Sequence, residues 1–353
     1  MPKAFLCFVL AASFLCSHEA FSQMDRGTIR KNNKRLMTYR GHKSNFSSEK
    51  RYISIGFTLN ALNYYGDLAP KPGPFSTDIS FTRPAIGLSF SQRLGPRYSL
   101  TAGFLYGTLR GSDFSSADEN DLQNGKFRYY RNLSFRNRIK ELSLVATFDL
   151  FENQATYLSR VDWTPYAFAG LAVFHHSPQA LAPATGLNNQ PLLEAGEWVR
   201  LHDLGTEGQY ADLQPTDANY GIKPYKLIQL SIPFGAGVRF KVHDVLDLSA
   251  ELGFRYLFTD YIDDVSQNYV DLGVLDSELA RALSYRSNEL TKPDIARRPI
   301  ETRNGVTYDL INGYGYEHPT NVRGRESNKD IIMVTSLRLS YIIGKTMHKA
   351  KFR

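Results

Sequence analysis

The stretch Asp247-Leu-Ser-Ala-Glu-Leu-Gly-Phe-Arg-Tyr-Leu-Phe258 decides the fold. Leu248, Ala250, Leu252, Phe254, Tyr256 and Phe258 alternate without a break against Asp247, Ser249, Glu251, Gly253 and Arg255. A period of two kept over such a run is a β-strand, because a helix repeats its apolar positions every three or four residues. One face is apolar or aromatic throughout, and the other mixes charges with small residues. Lipid on one side and a narrow polar interior on the other select that pair of faces.

Seven more segments follow the same rule. Residues 52–61 set Ile53, Ile55, Phe57 and Leu59 against Ser54, Gly56, Thr58 and Asn60. Further strands are expected over 85–94 and 98–109, and around Leu142, Leu144, Ala146 and Phe148, which oppose Glu141, Ser143, Thr147 and Asp149. The remainder fall at 166–174, 228–241 and 331–343, and the 166–174 segment is apolar on both faces. Pro233 lacks a backbone N–H and predicts a bulge or a local break in pairing. The connections 63–79, 110–133, 175–226 and 260–330 are long, whereas 95–97, 151–162 and 242–244 are short. Long loops on one rim and tight turns on the other give the expected fold: an all-β, eight-stranded antiparallel up-and-down transmembrane β-barrel over 52–343, with long extracellular loops. Ten strands result if loop 175–226 or 260–330 adds a hairpin. Asp276, Ser277 and Glu278, followed by Leu279, Ala282 and Leu283, predict a short capped helix in the last loop.

Composition agrees with a barrel. Aromatics make up 13% of the 353 residues, yet mean hydropathy is −0.34, because apolar residues at every second position are averaged away. Residues 1–22 read as a secretory signal, with Lys3 before an apolar run and Ala20-Phe21-Ser22 at the cleavage site. A lipoprotein ending at Cys16 is the competing reading, and bulky Phe14 and Leu15 stand against it. Cys7 and Cys16 are the only cysteines and both lie in that signal, so thiol catalysis, disulfides and cysteine-ligated metal are excluded for the mature chain. Residues 23–51 form a basic leader, expected in the periplasm as a solvated segment or a docking arm; 344–353 form a short periplasmic tail. The net charge of +7 bears on acidic lipid or an acidic partner, and no nucleic-acid role is expected of a secreted chain.

Four constellations could carry function. Glu141, Asp149, Arg239, Asp247, Glu251, Arg255 and Arg338 point inward and read as a self-satisfied ion-pair network, with a gated solute path as the competing reading. His175, His176 and His202, with Asp203, could form part of a lipid-modifying hydrolase site, but no serine stands in a nucleophile context. Asp260, Asp263 and Asp264 could attract calcium, but the spacing lacks the glycine and alternation of a calcium loop, and they read as surface acids. Arg136, Arg138 and Lys140 share the parity of lipid-facing Leu142 at the depth of anionic headgroups.

Four pieces exceed generic barrel patterning: Leu62-Asn-Tyr-Tyr-Gly-Asp-Leu-Ala-Pro70, Leu204-Gly-Thr-Glu-Gly-Gln209, Ile232-Pro-Phe-Gly-Ala-Gly-Val238 and Gly253-Phe-Arg-Tyr-Leu-Phe-Thr-Asp-Tyr-Ile-Asp-Asp-Val-Ser266. Together they resemble the PorG-like outer-membrane proteins of Bacteroidetes, a family otherwise labelled a domain of unknown function. The residues that carry the resemblance are Tyr65, Gly66, Asp67, Thr206, Glu207, Gly208, Gln209, Thr259, Asp260, Tyr261, Asp263 and Asp264. The resemblance implies a non-catalytic barrel without cofactor or metal, integral to the outer membrane with both termini periplasmic. It also implies association with the PorK- and PorN-like periplasmic ring of the type IX secretion system, which in gliding relatives carries adhesins. Outer-membrane lipid, including lipopolysaccharide, is the other expected partner. The competing readings are a free-standing structural or adhesion barrel acting through its loops, a lipid-A-modifying enzyme and a narrow pore.

Overall fold

The computed structural model describes residues 46, 50–68, 81–122, 124–290, 295–325 and 329–344. The signal 1–22, nearly all of the leader 23–51 and the tail beyond Gly344 lie outside the described residues.

Eight long strands alternate apolar and polar residues, and each pairs antiparallel with the next: β1 (Ile53–Tyr65), β2 (Arg83–Arg93), β3 (Tyr98–Ser112), β4 (Ser134–Asp149), β5 (Trp163–His175), β8 (Ile228–His243), β9 (Leu246–Leu257) and β12 (Ile331–Ile343). The order β3-β2-β1-β12-β9-β8-β5-β4 returns on itself through β3–β4. The chain is therefore a closed, up-and-down, eight-stranded barrel. First and last strands close it in register, with Ile53 opposite Ile343 and Tyr65 opposite Ile331. Hairpin-forming segments β10 (Arg297–Glu301) and β11 (Thr307–Ile311) make a separate two-stranded sheet. That sheet does not enter the barrel. The short ribbon of Pro178–Leu181 and Trp198–Arg200 in the other loop joins only the start of β4, outside the ring closed by β3–β4. The ten-strand alternative is therefore excluded.

The outward positions carry Phe57, Leu59, Leu88, Leu100, Phe104, Leu142, Leu144, Leu171, Leu230, Leu252 and Leu337, all exposed. A continuous apolar girdle of this kind fits lipid, not water. Tyr98, Phe148, Trp163, Phe240 and Tyr341 edge it on the turn side, where amphipathic rings meet the interface. The steps from Phe148 to Lys140 span about 26 Å at ~3.3 Å per residue, enough for a tilted strand to cross the apolar band. Among the described residues no helix is long and apolar enough to cross a membrane.

Pro233 has the expected effect on one side only. Pairing of β8 with β5 is interrupted between Ala169↔Phe234 and Ala172↔Ser231, while Pro233 stays opposite Arg255 on β9. A missing N–H can serve only one neighbour, so the strand continues.

β3 runs past its expected end to Ser112, and β4 starts at Ser134, where the 110–133 connection is expected to end. Their pattern inverts there. Leu109, Phe135 and Ile139 turn inward and are buried, while Arg110, Arg138 and Lys140 face out and are exposed. Membrane gives way to water at about Lys140. The extensions support a folded cap built from the long loops. The helices α1 (Asp113–Ser116), α2 (Gly125–Arg131) and α3 (Glu278–Ser284) belong to it. So does the ribbon β6 (Pro178–Leu181) and β7 (Trp198–Arg200), which continues from β4. The Ser277 side chain caps α3, accepting from the Ala280 N–H at 3.0 Å, as the sequence predicts.

The cap has its own core of Tyr269, Val270, Leu272, Leu275, Tyr285, Tyr308, Leu310, Ile311 and Tyr314, with Phe127 and Tyr130 packed against it. A second cluster joins Ala180, Ala182 and Leu201 to Leu279 and Leu283. Where cap meets barrel, Leu62, Tyr64, Leu109, Phe135, Phe174, Leu257 and Ile332 pack with Leu68, Ile262 and Val265. Asn137, wholly buried, receives the Ser177 N–H at 2.8 Å and donates to the Ile262 carbonyl at 2.7 Å, tying two cap segments to β4.

Candidate functional site

Inward residues of the strands form a stack of ion pairs. At the turn end Asp149 accepts from Arg239 at 3.2 Å and from Arg93. Asp247 accepts from Arg160 at 2.8 and 2.6 Å. Midway, Arg255 donates to Glu141 at 3.2 Å, and Glu251 accepts from Arg338 at 2.8 Å and from Tyr166 at 2.6 Å. All seven lumen residues named from sequence therefore carry a partner inside the barrel. Both signs are present and each acid meets an arginine, which is what makes such burial tolerable. The cavity left at mid-barrel is about 60 Å³, room for a few waters. A separate cavity near Arg93, Asp149 and Arg160 is about 10 Å³.

Arg93, Arg160 and Tyr166 escaped the sequence reading. Arg93 continues the inward parity of Gly87, Ser89 and Ser91 and could have been found. Tyr166 sits on the strand that is apolar on both faces, and Arg160 sits in a turn without periodicity, so neither carried a signal. Arg160 also binds the carbonyls of His243 and Leu246 at 2.7 and 3.0 Å. Arg93 binds that of Gly95 at 2.9 Å. The same cations thus plug the lumen and hold the turn rim.

The second site joins the cap to the barrel mouth. Most of the residues that carry the family resemblance, scattered along the sequence, meet here. Asp260, Asp263 and Asp264 are buried, which corrects their reading as surface acids. The reason is the set of donors waiting for them. Asp264, at φ 68°, accepts from Thr206 and, at 2.6 Å, from the Tyr225 hydroxyl. Glu207 accepts from the N–H groups of Ser266 and Gln267 at 3.0 and 3.2 Å and from Arg323 at 2.9 Å. Gln209 receives the Glu207 N–H at 3.0 Å, and Gly208 supplies a φ of +85°. Asp260 accepts from the Ser266 hydroxyl at 2.8 Å. Thr259 receives the Tyr261 N–H at 3.2 Å, and the Tyr261 ring stacks on Tyr225 at 4.6 Å. Asp67 receives the Arg325 N–H at 2.7 Å. Tyr65 lies apart, its hydroxyl 3.8 Å from the Met333 sulfur.

Two buried arginines absent from the sequence reading organise this cluster. Arg131 donates to both Asp113 oxygens at 2.8 and 2.9 Å and to the carbonyls of Arg323 and Asp67 at 2.6 and 2.7 Å. Arg323 reaches Glu207 and, at 2.6 Å, the Asp264 carbonyl. A single arginine in a long polar segment has no local pattern, so nothing in the sequence marks either one.

Tyr64 stands between two carboxyls, 2.8 Å from Asp263 Oδ2 and 2.6 Å from Asp330 Oδ1. A phenol has one proton to donate. Asp263 also receives the N–H groups of Leu68 and Val265, at 3.2 and 3.0 Å, and Asp330 receives that of Ile262 at 3.0 Å. Two acids around one phenol must then share a further proton, one of them donating to the tyrosine oxygen. Burial first, and the neighbouring acids second, push Asp263 well above the carboxylate range. Burial raises Asp330 to about 7 and Asp260 to about 8. Gly66 permits this approach, because a Cβ there would lie 1.9 Å from the Tyr64 hydroxyl and 2.1 Å from Asp330 Oδ1. Among the described residues no group of three or more His, Cys, Asp or Glu is placed to hold a metal ion.

The histidines do not assemble a nucleophile relay. His176 is buried, its Nε2 3.1 Å from the Lys226 carbonyl. His202 meets the Tyr225 carbonyl at 3.0 Å and Asp203 at 3.2 Å. Of the outward cations, Arg136 is not open to lipid. Its guanidinium lies 3.9 Å over the Trp198 ring and donates to Gln179 at 2.8 Å, covered by β6 and β7. Arg138 and Lys140 are exposed.

Residues 37–190 match the family described as domain of unknown function DUF6089. No curated protein matches the sequence. Among solved structures, Neisserial surface protein A is similar at 8% identity over 82% of this chain and 96% of that one, with a TM-score of 0.35. The outer membrane protein OprG from Pseudomonas aeruginosa is similar at 7% identity over 85% and 99%, TM-score 0.34. A major outer membrane protein from Thermus thermophilus shares 11% identity over 82% and 99%, TM-score 0.33. The barrel assignment rests on the hydrogen-bonded strand order given above.

Proposed function

We propose that the chain is a non-catalytic outer-membrane scaffold that associates with the PorK- and PorN-like periplasmic ring of the type IX secretion machinery, with both termini periplasmic. The sealed lumen carries the scaffold part of this reading. Its cations and acids are consumed by one another, and the cavity between them holds only a few waters. The work is left to the two rims. The secretion part is supported by the resemblance, most of whose residues converge on one buried cluster and so act by holding the cap in shape. Contact with a periplasmic ring then falls to the turn rim, which Arg93 and Arg160 keep rigid.

A second reading is favoured by the cap itself, since a loop set with its own core is a built surface. It is a free-standing barrel that meets the environment through that cap. Site-specific photocrosslinkers separate the two in cells that assemble the machinery. Crosslinks to ring proteins from Glu152 and His243 on the turn rim are expected, with none from Leu193 or Tyr220 on the cap. Silence from the turn rim, with capture from the cap alone, overturns the secretion role.

A further inference from the structure

We propose that the cap ends of β3 and β4 form a binding surface for the phosphate groups of membrane lipid headgroups, built from Arg110, Arg138 and Lys140. Strand register places these three together. Arg138 is opposite Thr108, Arg110 is opposite Arg136, and Lys140 is opposite Tyr106. On one sheet face, residues two apart along a strand or diagonal across a pair lie about 7 Å apart. All three side chains are exposed, and among the described residues no carboxylate pairs with any of them. The contrast with the rest of the molecule is sharp, because the lumen arginines and the buried cap arginines Arg128, Arg131 and Arg323 all have acidic partners. Like charges held this close on a rigid sheet repel one another unless an anion lies over them.

The position says what kind of anion. Immediately below the three cations on the same outward face come Phe104, Leu142, Leu144 and, on β5, Leu171 and Val173, all exposed. A ligand bearing phosphate above and acyl chains below meets both halves of this surface. A free phosphate meets only the upper half. Tyr106 lies opposite Lys140 and the Trp198 ring against Arg136, as aromatic rings do in the headgroup layer. Arg136, clasped by Trp198 and Gln179, fixes β6 and β7 beside the surface and is not part of it.

The test uses the full chain reconstituted in phosphatidylcholine nanodiscs containing bis-phosphorylated lipid A. Lipid retained on the released barrel is counted by native mass spectrometry. The triple variant Arg110→Gln/Arg138→Gln/Lys140→Gln is compared with a control, Arg97→Gln/Arg200→Gln, and folding of each is verified by the gel-mobility shift on boiling. The wild type and the control are expected to retain lipid A, and the triple variant to lose about a hundredfold in preference for it. Dephosphorylated lipid A is expected to show no enrichment, and inorganic phosphate is expected not to compete. Equal retention by wild type and triple variant overturns the proposal, as does enrichment that ignores the phosphates. Should the triple variant fail to fold, the wild type still decides. Retention that falls as salt is raised supports the surface, and retention indifferent to salt refutes it.

Discussion

Replacing Asp330 with Asn should leave the cap as stable as wild type below about pH 4 and make it more stable at pH 8. The proton shared among Tyr64, Asp263 and Asp330 explains why. Asp330 is buried, faces Tyr64, Asp67, Asp263 and Lys329, and receives the Ile262 N–H at 3.0 Å. Its folded pKa of about 7 stands above the ordinary 3.8. An acid raised in this way binds its proton more tightly in the folded cap than in the opened one. Its contribution is complete below about pH 4 and is lost as pH rises toward 7. The whole interval corresponds to about 4 kcal/mol. Asp260 and Asp263 are raised as well and push in the same direction. An Asn amide can donate to the Tyr64 oxygen and accept from Ile262, so it copies the protonated acid and cannot lose the proton. Hydrogen exchange of cap amides in detergent micelles, corrected for the intrinsic pH dependence of exchange, reads the opening free energy directly. The reasoning fails if wild-type protection is flat or rises from pH 5 to 8. It fails equally if Asp330→Asn weakens the cap by the same amount at both pH values.

Other outcomes follow from the same contacts. Arg131→Met should cost the cap about 3–5 kcal/mol, because it leaves Asp113 buried with reduced compensation; limited proteolysis should open the cap while the barrel keeps its gel-mobility shift. Gly66→Ala should cost about 1–3 kcal/mol by driving a methyl into Tyr64 and Asp330, seen as lost exchange protection at Ile262 and Leu68 with the barrel strands unchanged. The wild-type chain should be silent in planar bilayers. The double variant Arg255→Ala/Arg338→Ala, which removes the mid-barrel cations facing Glu141 and Glu251, should admit ions, and steady wild-type conductance would contradict the sealed lumen.

The membrane-spanning part of the barrel was legible because lipid imposes a rule on every second residue. Once Leu248 and its successors are taken as outward, the inward partners Glu251 and Arg255 follow by parity, and so do Glu141, Asp149, Arg239 and Arg338. The rule ends where the lipid ends. On β4, Phe135 and Ile139 are buried while Arg138 and Lys140 are exposed, so the parity of Leu142 carries on but no longer marks a lipid-facing side. The acidic cluster was misread for a related reason. Asp263 and Asp264 look like a solvated strand end until Tyr64, Thr206, Tyr225 and the backbone N–H of Leu68 are brought to them. Those donors are contributed by segments remote in sequence, and local pattern holds no record of them. The motif residues carried more information than their chemistry alone suggested, because Gly66, Asp67, Glu207 and Asp263 serve one junction.

The claim that most needs testing is that this sealed barrel acts by holding a periplasmic assembly. Co-purification from native membranes in mild detergent, with a tag after Arg353 and mass spectrometry of the associated proteins, addresses it directly. The scaffold account predicts recovery of the PorK- and PorN-like ring proteins in defined ratio to the barrel, unchanged by a pH 8 wash that loosens the cap. A barrel that emerges alone, from cells in which the ring is intact, contradicts it.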